Sequence, residues 1–150
     1  MNNKSKKQKK EIYLVDTSAI IHKKVSKLIK QNKIKGTILI PNAAIAELEH
    51  LANKGQDVGF KGLEEIAKFH RYKNIKVKFV GPRPSESHIK YAKSGEIDAL
   101  IRSLASTYKA TLITSDIVQS KSAAAYGIKT LFHRVRPKKL KKKFFFWKRK

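Results

Sequence analysis

Short apolar runs alternate along this sequence with longer stretches in which apolar residues recur every three or four positions. The runs are Ile12-Tyr13-Leu14-Val15, Thr37-Ile38-Leu39-Ile40, Val77-Lys78-Phe79-Val80, Thr111-Leu112-Ile113-Thr114 and, weakest, Lys129-Thr130-Leu131-Phe132. They are nearly continuous and rich in β-branched residues, as strands covered on both faces must be. Helical spacing fills the gaps. Residues 43–53 place Ile45, Leu48 and Leu51 on one face before Gly55, and residues 59–72 repeat the pattern with Leu63, Ile66, Ala67 and Phe69. Residues 95–108 carry Ile97, Leu100, Ile101, Leu104 and Ala105, and a shorter helix over 117–126 stops at Gly127. Gly81-Pro82-Arg83-Pro84-Ser85 is a loop by its prolines, with Ser85 placed to cap a short helix. Strands alternating with helices predict an α/β fold: an open, mostly parallel five-stranded sheet with right-handed crossovers.

Such a sheet binds ligands beyond the carboxyl ends of its strands, so acidic residues at those positions carry the functional question. Asp16 ends the first run and is followed by Thr17 and Ser18. Glu47 lies about one turn into the helix after Pro41-Asn42. Asp98 falls in the first turn of the helix opened by Ser94-Gly95, and Asp116 closes Ile113-Thr114-Ser115-Asp116. Singly, each has a plain structural explanation: Asp16 and Asp116 as helix caps, Glu47 and Asp98 as complements to a helix dipole. Together they place four of the 11 acidic residues at one sheet edge, in a chain dominated by lysine. Four crowded carboxylates repel one another unless protons or cations intervene. Hard divalent ions with oxygen ligands, Mg²⁺ or Mn²⁺, are the expected cofactor. A metal pair so held can activate water against a phosphodiester without any side-chain nucleophile.

Charge points to the substrate. Lys and Arg total 35 against 11 Asp and Glu, a net +24. Five of the basic residues lie in 1–10 and ten in 134–150, so 20 remain against all 11 acids and the middle is itself near +9. A basic body with basic arms is the footprint of a polyanion binder. Cysteine is absent, which removes disulfides, thiolate metal sites and cysteine nucleophiles. No apolar run approaches the roughly 18 residues of a membrane-spanning helix. The amino terminus lacks the pattern of a secretory leader, and a cytoplasmic protein is expected. Three segments follow: a basic arm over 1–10, a domain over 11–133 and a basic-aromatic tail over 134–150.

At its acidic positions the sequence resembles the PIN-domain family. The matching pieces are Leu14-Val15-Asp16-Thr17-Ser18-Ala19-Ile20, Ile45-Ala46-Glu47-Leu48, Gly95-Glu96-Ile97-Asp98-Ala99-Leu100-Ile101 and Leu112-Ile113-Thr114-Ser115-Asp116. The resemblance implies a three-layer α/β/α sandwich, PIN-like and Rossmann-like, and Mg²⁺- or Mn²⁺-dependent nuclease activity, usually on RNA. By position it makes Asp16, Glu47, Asp98 and Asp116 the metal-binding set, and Thr17, Ser18 and Thr114 hydroxyls that brace it. Homodimers occur among PIN domains, so a second copy is among the partners to test. The pieces are also similar to the amino-terminal module of archaeal PIN–KH ATPases. This sequence has no Gly-x-x-x-x-Gly-Lys-[Ser/Thr] loop, so neither a nucleotide cofactor nor ATP-driven activity is expected.

Glu49 and Glu96 are excluded from the set, because two residues turn a helical side chain roughly 200° away. The five histidines show no pair at metal-ligand spacing. In the tail, Phe144, Phe145, Phe146 and Trp147 interleaved with Lys138, Lys139, Lys141, Lys142 and Lys143 suit unpaired bases and their backbone. The same residues also suit an anionic membrane surface, the lesser reading beside an end with no role of its own. Competing functions are a nucleic-acid-binding module without cleavage on the same scaffold, and the toxin of a toxin–antitoxin pair. Dinucleotide binding is disfavoured, since no Gly-x-Gly-x-x-Gly follows the first strand.

Overall fold

The computed structural model describes residues 11–93 and 95–135. The basic arm over 1–10 and the tail residues Lys138 to Trp147 lie outside them. The element order is β1 (Ile12–Val15), α1 (Thr17–Ile21), α2 (Lys24–Lys30), β2 (Gly36–Pro41), α3 (Asn42–Asn53), α4 (Asp57–Phe69), β3 (Ile75–Val80), α5 (Glu86–Tyr91), α6 (Glu96–Thr107), β4 (Thr111–Thr114), α7 (Ile117–Ala125) and β5 (Thr130–Phe132). The five strands form one sheet in the order β3-β2-β1-β4-β5, and every pairing is parallel.

The strands' alternation divides the interior into two cores. Tyr13, Val15, Ile38, Ile40 and Ile113 point to one face, packing with Ile20, Leu28, Leu48, Ile66 and Phe69. Leu14, Leu39 and Leu112 point to the other, against Ile97, Ile101, Leu104 and Ala123. Successive residues of a strand face opposite ways, so one apolar run feeds both cores, and the result is the three-layer α/β/α sandwich. Among the described residues no helix is long and apolar enough to cross a membrane.

Four local expectations need correction. Residues 17–35, where no particular helix was delimited, hold α1 and α2, which bury Ala19, Ile20, Val25, Leu28 and Ile29. The third strand is not covered on both faces: β3 is a sheet edge, with Lys76, Lys78 and Phe79 exposed. The helix placed at Gly59 begins at Asp57, and Gly59 sits inside it because α4 lies against α3. A Cβ there would stand 2.3 Å from the Ala52 backbone nitrogen. That close approach also explains α3, which buries Ala43, Ala44 and Ala46 around Leu48 while Leu51 is only half-buried. Small residues let two helices approach, and a reading weighted to large side chains misses them. The caps are as anticipated: Ser85 accepts from the His88 nitrogen at 3.0 Å, and Gly55 and Gly127 take φ values of 75°.

Candidate active site

The chain lays β1, β2 and β3 outward in one direction, then returns to place β4 on the other side of β1. The crossovers diverge at β1 and β4, leaving a crevice beyond their carboxyl ends, where open α/β sheets hold ligands. Asp16 and Asp116 follow those two strands directly. The Asp16 nitrogen donates to the Ile113 carbonyl at 2.9 Å, locking the strand ends together.

Asp16 is 1% exposed and fully engaged. Its Oδ1 accepts from the Thr17 nitrogen at 3.0 Å, capping α1. Its Oδ2 accepts from Thr114 Oγ1 at 2.8 Å and from Ser18 Oγ at 3.0 Å. Burial pushes its pKa up to about 6; the bond from Thr114 opposes this, and the charge of Asp98 adds to it. Glu47, on α3, accepts from Thr17 Oγ1 at 2.8 Å. Its pKa rises to about 7, chiefly by burial, against the Thr17 bond and with repulsion from Asp16 and Asp98. Asp98, in the first turn of α6, is also raised, by burial and then by Asp116, with Arg102 opposing. Asp116 caps α7, its Oδ1 accepting from the Val118 nitrogen at 2.8 Å and the Gln119 nitrogen at 3.3 Å.

The capping role foreseen for Asp16 and Asp116 is therefore real, and the electrostatics go beyond it. Asp16, Glu47 and Asp98 each feel another acid's charge, and Asp98 feels Asp116. Thr17, Ser18 and Thr114 tie Asp16 to Glu47 and to the backbone of Asp116. Ser18 Oγ and Thr114 Oγ1 lie 3.2 Å apart, and they receive the Ser115 and Asp116 nitrogens at 3.0 and 3.1 Å. The two excluded acids are engaged elsewhere: Glu49 with Arg83 at 2.6 Å, and Glu96 with His88 at 3.4 Å.

Two participants went unnoticed in the sequence. Gln119, 1% exposed, donates from Nε2 to the Asp98 carbonyl at 3.0 Å and accepts from an Arg102 terminal nitrogen at 2.7 Å. It thereby fixes α6 against α7 and sets where Asp98 stands. Arg102 had a signal, lying four residues after Asp98 on one helical face. Gln119 had none, because periodicity assigns a glutamine to solvent.

The donor set suits a hard divalent cation in kind, being carboxylates that destabilise one another when ionised. It is not drawn tight: among the described residues no group of three or more His, Asp or Glu is gathered closely enough to hold a metal ion. Asp16, Glu47 and Asp98 each raise another's pKa or have it raised by a neighbouring acid, so their ionised forms repel one another.

The family model for the PIN domain matches residues 13–125. The chain belongs to the PIN-domain family. PIN domains are generally nucleases and typically use divalent metal ions. This PIN domain is 44% identical over 122 residues to an uncharacterized KH and PIN-domain containing protein of Methanocaldococcus jannaschii, a match covering 79% of the chain and 19% of that protein. The chain thus spans about a fifth of its curated relative's length. A solved domain of a functionally unknown protein from the same organism superposes with a TM-score of 0.80 at 40% identity, covering 87% of this chain and 96% of that one. The similarity to the PIN module of archaeal PIN–KH proteins is thereby supported.

Proposed function

We propose that this PIN domain is a divalent-metal-dependent nuclease that hydrolyses phosphodiester bonds, with RNA its preferred substrate. The observation that carries the reading is the mutual influence of Asp16, Glu47 and Asp98 at the crevice between β1 and β4, with carboxyls raised to about 6 and 7 at Asp16 and Glu47. Bound there, Mg²⁺ or Mn²⁺ supplies Lewis acidity that makes water a better nucleophile and offsets charge on the attacked phosphate.

The chain's own residues do the rest. Asp16, Glu47, Asp98 and Asp116 provide the oxygen donors. Thr114 and Ser18 orient Asp16 through its Oδ2, and Thr17 bonds Glu47, as the partners of metal-binding carboxylates do. Gln119 and Arg102 set the position of α6 and with it Asp98. A net charge of +24 draws the polyanion and fixes its backbone through phosphate contacts.

The test is cleavage of labelled single-stranded RNA and matched DNA with Mn²⁺, Mg²⁺ or chelator, beside Asp16→Asn. Cutting that requires metal and is lost in the variant supports the reading. If the wild type leaves both substrates intact with either ion, the domain is a nucleic-acid-binding scaffold instead.

A further inference from the structure

Acids crowded at one crevice repel a polyanion, so a nucleic-acid strand drawn to them must be held by positive charge close by. The flank made by α2 and β5, the sheet edge beside β4, carries such charge. Residues 22–35 hold six lysines and no acid. The upper end of the flank adjoins the crevice: the His133 nitrogen donates to the Thr114 carbonyl at 3.0 Å, and Thr114 in turn braces Asp16. The pKa of the His133 imidazole is lowered by burial first and then by Lys24, Lys27 and Lys33, so these three ammonium groups gather about it. The lower end is a cavity of ≈ 450 Å³ at the amino ends of β1, β4 and β5, lined by Lys33, Lys109 and Lys129. Among the described residues Glu11 is the one acid lining it, and its carboxylate already accepts the Tyr13 hydroxyl at 2.5 Å. Lys27, Lys33, Lys109 and Lys129 are exposed. Lys33 belongs to both ends, which makes them one strip.

A row of ammonium groups recognises repeated phosphates rather than a sequence. A membrane surface would ask for exposed apolar side chains among the charges. Of the large exposed apolar residues only Ile12, at 37%, lines the cavity. The strip also turns away from the crevice within one small domain, a path that a single strand follows and a duplex, stiff over about 50 nm, does not. We infer that a single strand of nucleic acid leaves the acidic crevice over His133 and runs down the α2–β5 flank, its backbone held by Lys24, Lys27 and Lys33 and then by Lys109 and Lys129. The inference rests on the proposed function only in taking a polynucleotide as the occupant of the crevice; the flank holds the backbone whether or not it is cut.

The test is binding of labelled single-stranded RNA to the full chain in chelator, followed by fluorescence anisotropy over a range of salt. Lys24→Ala, Lys27→Ala and Lys33→Ala together should weaken binding about 10- to 100-fold and lower the salt slope by about 2, roughly 0.7 for each phosphate released. Lys54→Ala, Lys78→Ala and Lys121→Ala together make the same change in net charge away from the flank, and should leave the slope within about 0.5 of wild type. Bound RNA should protect Lys24, Lys27, Lys33, Lys109 and Lys129 from acetylation, read by mass spectrometry, and leave Lys54, Lys78 and Lys121 reactive. The inference is overturned if the two triple variants lose affinity equally, if the protected lysines are not those of the flank, or if phosphatidylserine vesicles protect them and RNA does not. A wild type that cuts no RNA yet shows this pattern keeps the flank's role and loses the nuclease reading. Metal-dependent cleavage that both triple variants impair alike does the reverse.

Discussion

Thr114 Oγ1 donates to Asp16 Oδ2 at 2.8 Å, joining the ends of two strands whose residues lie 98 apart in the chain. This bond favours the ionised form of Asp16 against the burial that disfavours it. Thr114→Val removes the donor at nearly constant volume. Metal affinity, measured by calorimetry with Mn²⁺, should fall about 10- to 100-fold, as it does when groups that orient metal ligands are lost. Unchanged affinity would mean that the hydroxyl serves only to fill space.

Stability should depend on pH in a direction fixed by the same carboxyls. Asp16 and Glu47 have folded pKa values, about 6 and 7, above their unfolded ones. The folded state therefore holds more protons between about pH 4 and 7. In chelator the melting temperature should drop as pH rises through that window, and Mn²⁺ should restore it at pH 8. Asp16→Asn, which cannot ionise, should melt higher than wild type at pH 8 and show a shallower slope. A wild-type melting curve that rises across this window relative to the variant would contradict the assignment.

Asp116 has two separable duties. As the cap of α7 it satisfies two backbone nitrogens, and Asp116→Ala should cost about 1 kcal/mol in denaturant unfolding. Asp116→Asn keeps a capping oxygen and should recover most of that stability. If Asp116 also serves the cation, both variants should lose metal affinity and cleavage alike. Recovery of activity by asparagine would reduce Asp116 to a structural cap.

The contact between α3 and α4 can be probed at Gly59. An added Cβ would meet the Ala52 nitrogen at 2.3 Å and the Leu48 carbonyl at 2.6 Å, both backbone atoms that cannot turn aside. Gly59→Ala should cost about 2–4 kcal/mol and disturb Glu47 through α3. Gly55→Ala, strained only by a φ of 75° in open space, should cost about 1 kcal/mol. Equal losses at the two sites would show that the helices do not approach so closely in solution.

What the sequence disclosed and what it hid divide along one physical line. Strands announce themselves by being apolar on both faces, and the acids at their ends were locatable once the sheet was inferred. Helices α1 and α2 were hidden although Val25, Leu28 and Ile29 have helical spacing, because the lysines between them depress any averaged signal. The edge position of β3 was hidden too, since strand order is decided by crossovers rather than by local residues. Glu65 and Gln119 drew no notice in the sequence and are 1% exposed. Periodicity registers apolar burial alone, and a buried polar group is set by partners elsewhere in the chain.

The outward-then-back winding of the sheet has a temporal meaning. β4 joins β1 only after β2 and β3 have been made, so a chain still emerging from the ribosome carries Asp16 and Glu47 without Asp98 or Asp116. The carboxylate set becomes whole only when nearly the entire domain has been synthesised and has closed on itself.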